Sequence, residues 1–153
     1  MSVLYDPATA DHEVAQATLG AVYWHNGKAY KYVQFKDAVT YAAGHVVTWA
    51  NTSGTAVTND RAGGSDIGTG VEPAGVATRV HTQNYYGFMQ VAGTVDVYYD
   101  GSVAAGEWIV SDTGADGRAD TMAAGEEEQV IGIALEADSG TPVTALVSLQ
   151  GLI

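Results

Sequence analysis

Three aspartates in one glycine-rich loop are the residues best placed to do chemistry. Asp112, Asp116 and Asp120 recur every fourth position, and Gly117 follows the second. Carboxylates at short spacing can converge on a hard cation such as calcium, and a glycine allows the sharp bend that such a loop needs. The set is incomplete for that task, because Gly114 fills one ligand position and Ala123 stands where a bidentate glutamate belongs. An Asp/Gly turn uses the same residues for backbone reasons alone, so the expectation is no bound metal and no cofactor. Glu126, Glu127 and Glu128 form a carboxylate run, but glycoside chemistry depends on a spatial separation that no feature of the sequence selects. The run reads as a solvated loop.

Other catalytic patterns are missing from the chain. His12, His25, His45 and His81 are scattered, without the His-x-His or His-Glu-x-x-His spacing of metal sites. There is no cysteine and no Gly-x-Ser-x-Gly elbow. The glycine-rich stretch from Asn59 to Gly70 precedes no helix and lacks the Lys-Ser/Thr pair of a phosphate cradle. The chain is expected not to be an enzyme.

The elements that would carry these loops are β in character. In Met89, Val91, Val95, Val97 and Tyr99 the apolar residues share one parity, while Gln90, Thr94 and Asp96 share the other. Period two is the signature of a strand with one face on a core. Asn26-Gly27 supplies the two φ > 0 residues of a type I′ hairpin between Gly20–His25 and Lys28–Lys36. Pairing His25 with Lys28 places Tyr23 opposite Tyr30 and brings Tyr32 to the same face, with Trp24 on the other. Aromatics on both faces predict that one meets the core and the other a second element or a subunit, so Tyr23, Trp24, Tyr30 and Tyr32 are the candidate oligomer or partner face. A further strand is expected over Val76–His81.

A degenerate repeat organises the rest. Tyr41-Ala-Ala-Gly-His-Val-Val-Thr48, a loop, Pro73-Ala-Gly-Val-Ala-Thr78 and the strand to Gly93 find counterparts in Val103-Ala-Ala-Gly-Glu-Trp-Ile-Val110, Val130-Ile-Gly-Ile-Ala-Leu135 and Val143 to Gly151. These repeat-like units cover about residues 41–93 and 103–151. The expected organisation is an N-terminal arm over 1–19 and a single β domain over 20–153. The arm reads either as extended chain or as a short helix from Thr9 to Thr18. Val3, Leu4 and Tyr5 form an apolar cluster outside the predicted sheets and are the candidate docking arm.

Composition narrows the partners. Eighteen acidic residues against 6 basic ones give a net charge of −12. Such a surface repels phosphate backbones, so no nucleic-acid partner is expected. No apolar run approaches a membrane span, and the start of the chain lacks the basic residues of a signal peptide, so neither membrane contact nor export is expected.

The second unit resembles the C-terminal half of tailed-phage capsid decoration, or cement, proteins. The likeness rests on Ala104-Ala-Gly-Glu-Trp-Ile-Val110, the Asp/Gly/Ala loop, Val130-Ile-Gly-Ile-Ala-Leu-Glu-Ala137 and Val143 to Gly151. It implies a small β-sandwich or β-barrel, jelly-roll-like, that forms a homotrimer. It further implies a place on the outer capsid surface of the virion at local threefold positions, the major capsid protein as partner, and synthesis in the host cytoplasm. A different class fits the aromatic residues: a carbohydrate-binding or tail-associated adhesion module, with Trp24, Trp49, Tyr85 and Tyr86 as stacking platforms.

Overall fold

In the computed structural model, residues 6–7, 10–36, 40–60, 72–111, 114–137 and the backbone of 143–148 are described. Eleven strands follow in order: β1 (Asp11–His12), β2 (Val22–His25), β3 (Lys28–Phe35), β4 (Val46–Trp49), β5 (Ala56–Thr58), β6 (Pro73–Ala77), β7 (Tyr86–Val97), β8 (Trp108–Ser111), β9 (Ala119–Thr121), β10 (Val130–Ala134) and β11 (Val143–Ser148). A 3₁₀ turn over Glu127–Gln129 is the one helical element among the described residues.

The local signals act as the sequence predicts at the hairpin. Asn26 and Gly27 adopt φ of 49° and 75°, and β2 pairs with β3 in the register His25 to Lys28, Trp24 to Ala29 and Tyr23 to Tyr30. From there β3 joins a closed ring of five strands. The order is β3-β5-β4-β6-β7, and β7 pairs back onto β3 over Tyr86 to Ala92. The β3–β5 contact is parallel, with Gln34 beside Ala56 and Phe35 beside Val57, and it completes the ring.

A second run of strands, β11-β10-β8-β9, continues from the far part of β7, where six residues from Ala92 to Val97 pair with Ser148 to Val143. The architecture is therefore all-β, a closed barrel with added strands. One hydrophobic cluster runs through it, from Ala29, Val33 and Phe35 of β3 to Ile109, Ile131 and Ala134 of the second run. Removing that apolar area from water is the main driving force available to a chain without cysteine.

One strand boundary differs from expectation. The strand predicted over Val76–His81 is found at Pro73–Ala77, and its last pairing is Ala77 with Met89. Beyond that point His81 turns inward and stacks on Phe35, with ring centroids 3.6 Å apart and planes at 11°. Burying that ring face takes the backbone out of the ladder.

Candidate functional site

Residues 10–19 form no helix; they follow a bent path with strand at Asp11–His12. Asp11 and His12 pair with Gly87 and Tyr86 of β7. The Asp11 carboxylate accepts a 2.8 Å hydrogen bond from the Thr82 hydroxyl and longer ones from the Thr82 amide, and His81 Nδ1 lies 3.3 Å away. Gly87 makes this approach possible. A Cβ there would stand 2.6 Å from His81 Cε1 and 2.7 Å from the Ala10 carbonyl oxygen.

Beneath the segment, Ala10, Tyr30, Tyr32 and Phe88 form a second buried cluster, with Ala17, Leu19, Tyr23 and Tyr86 packed around it. Tyr32 crosses Phe88 at 4.9 Å, and Tyr23 meets Phe88 edge-on at 5.3 Å. The Tyr32 hydroxyl accepts the Gln16 amide at 3.0 Å and also lies 3.0 Å from His12 Nδ1. The four aromatic residues singled out in the sequence therefore divide. Tyr23, Tyr30 and Tyr32 share a face covered by the chain's own residues 10–19, while Trp24 points the other way and is 60% exposed.

Burial disfavours the charged form of two histidines. Burial lowers the His81 pKa to about 4, outweighing the hydrogen bond and charge of Asp11 that pull it upward. His45 is lowered by burial and then by Arg118. Its Nδ1 faces two N–H donors, Ala42 at 3.3 Å and the Asn59 amide at 3.0 Å, an arrangement suited to an unprotonated nitrogen.

The aspartate loop is organised around that ring. Gly117 has φ of 72°, its carbonyl accepts the Val46 amide, and a Cβ on it would fall 2.8 Å from His45 Nδ1. Asp120 Oδ1 accepts the amide of Thr121 at 2.6 Å, and Asp116 precedes the glycine turn. Asp112 lies outside the described residues, as do Val3, Leu4 and Tyr5. Among the described residues no group of three or more His, Asp or Glu is arranged to hold a metal ion.

Two surface features remain. A groove of about 460 Å³ is lined by Lys28, Tyr30, Gln90, Thr94, Asp96 and Tyr98, among others. Elsewhere β8 and β10 place Trp108 beside Ile133 in register, and Trp108 and Leu135 are 46% and 47% exposed. Trp49, by contrast, is buried at 8% exposure with the Lys31 ammonium 4.7 Å above its ring. It is no open sugar platform. Sequence reasoning missed the Asp11–His81–Thr82 clasp because its partners are some 70 positions apart. The available signal was Gly87, a glycine inside a strand, which marks a close backbone approach.

No protein-family model and no curated protein sequence matches the chain. Its fold is similar to a solved structure, the head fiber gp8.5 N base in bacteriophage phi29. The TM-score is 0.53 with 16% identity, covering 79% of this chain and 94% of that one.

Proposed function

We propose that this chain is a structural protein of a phage head. It docks on the outer surface of the shell as a decoration or cement protein, with the major capsid protein as its partner. The observation that carries the reading is the fold likeness to a head-fiber base. The motifs of the second unit point the same way from the sequence alone. On this reading the chain is a homotrimer at local threefold positions. Three equivalent weak contacts then act together, because linking them raises the effective concentration of each. The role is mechanical and assigns no catalytic step.

The test is cosedimentation of the purified chain with shells assembled from the major capsid protein of the same genome. Saturable binding in multiples of three copies per lattice threefold is the expected outcome. A monomer that fails to sediment with shells would overturn the proposal.

A second reading draws on the groove. Tyrosines, a lysine and an aspartate around a cavity of about 460 Å³ offer the mixed stacking and polar contacts that carbohydrate modules use. A glycan array scores it directly: binding abolished by Tyr98→Ala would favour an adhesion module over a cement protein.

A further inference from the structure

The outward side of β8 and β10 combines two properties. It is apolar at its centre. Trp108 and Leu135 are nearly half exposed, and Ile133, half-buried, is the register partner of Trp108 and lies two residues from Leu135. Met122, also half-buried, donates its amide to the Trp108 carbonyl at the end of β9 and extends the row. Large apolar side chains grouped on one open sheet face mark interaction sites more often than isolated exposed ones do.

It is also acidic at its border. Residues 119–137 contain five acids, Asp120, Glu126, Glu127, Glu128 and Glu136, and no lysine or arginine. The connection from β9 to β10 must cross β8, which lies between them in the sheet. It brings the 3₁₀ turn over Glu127–Gln129 into contact with β8. Glu107, the neighbour of Trp108, is exposed as well.

Charge decides the occupant. A second copy of the same face would set carboxylates against carboxylates, a like-charge juxtaposition that disfavours pairing. We infer that the outward face of β8 and β10 is the surface by which the chain docks on its shell, against an apolar depression bordered by lysine or arginine. The inference rests on the phage-head reading above and specifies which surface performs it. Trp108 is the anchor, Leu135 and Ile133 exclude water around it, and the acids steer the approach and fix its orientation.

The experiment compares shell cosedimentation of the wild-type chain, Trp108→Thr/Leu135→Thr, Glu128→Lys and Val80→Thr, with thermal melts and sedimentation velocity on each. The double variant should lose about tenfold or more in affinity. Val80→Thr, altered at an exposed apolar residue outside these strands, should stay within about twofold of wild type. Glu128→Lys should bind more weakly at low salt, with the difference shrinking as salt screens it. Wild-type binding with an unaffected double variant removes this face and leaves the phage-head reading standing. No binding by wild type removes both. A double variant that changes its oligomeric state assigns the face to self-association and overturns the inference. Should the double variant fail to fold, Glu128→Lys decides alone, and unchanged binding at low salt counts against the proposal.

Discussion

At the scale of single residues, the small phrase Ala-Ala-Gly turns out to be a device of local geometry. It occurs at Ala42–Gly44, Ala104–Gly106 and Ala123–Gly125, and the glycine φ values are 90°, 89° and 94°. Each time the residue after the glycine folds back. His45 Nδ1, Glu107 Oε2 and Glu126 Oε2 accept the amide of the first alanine at 3.3, 2.8 and 2.7 Å. The turn is closed twice, since the amides of His45, Glu107 and Glu126 also bond the carbonyl of that alanine. A glycine at the third position supplies the φ > 0 that such turns require. Glu107→Ala should thus cost up to about 1 kcal/mol at an exposed turn, read by chemical denaturation. Gly87→Ala should cost more, about 1–3 kcal/mol, because both neighbours of the new methyl are packed; an unchanged midpoint would mean the segment had simply lifted away. His81 makes stability pH-dependent. Its pKa of about 4 in the folded chain lies below the unfolded value near 6.5. The folded state therefore binds fewer protons between these limits, so stability is complete above pH 6.5 and falls as pH drops toward 4, by about 3 kcal/mol in total. In His81→Phe that part of the acid slope should vanish from a titration of melting temperature.

At the scale of elements, legibility followed the range of the pairing. The β2–β3 hairpin was readable to the residue because Asn26-Gly27 dictates a turn whose strands are chain neighbours. The closed barrel was not, since it depends on β3 meeting β5 in parallel across β4, a contact without local sequence signal. The faces of β3 were readable and their coverings were not: alternation separates Tyr30 and Tyr32 from Val33, but cannot say that residues 10–19 return to lie over the tyrosines. The recurring strand phrases correspond to like hydrogen bonds. Gly44 and Gly106 each donate at 2.8 Å, to Ala77 and Ala134, and those alanines donate back to His45 and Glu107. The contacts between the two sets of strands also join counterparts: β4 with β8, β6 with β10 and β7 with β11. For the N-terminal segment the prediction is direct. Asp11→Ala removes the acceptor for the Thr82 hydroxyl and amide and for His81. Hydrogen exchange at the Gln16 and Thr82 amides should accelerate while that of β4 and β6 stays slow. Uniform acceleration across the barrel would instead make the clasp part of global stability.

At the scale of the whole molecule, a net charge of −12 repels itself as well as other anions. Raising salt from about 10 mM to about 1 M shortens the screening length from about 30 Å to about 3 Å. The melting temperature should rise across that range, and a flat or falling trend would show that local ion pairs such as Asp100 with Arg118 outweigh the general repulsion. The twelve-residue β7 belongs to the barrel through β3 and β6 and to the second run through β11. A pull directed along that strand would load its ladders in shear, with many hydrogen bonds sharing the force at once, whereas a pull across it would peel them open one after another. A chain anchored at one end of β7 and tugged at the other should accordingly resist rupture far better along this axis than across it. That is the mechanical anisotropy of a tie-bar.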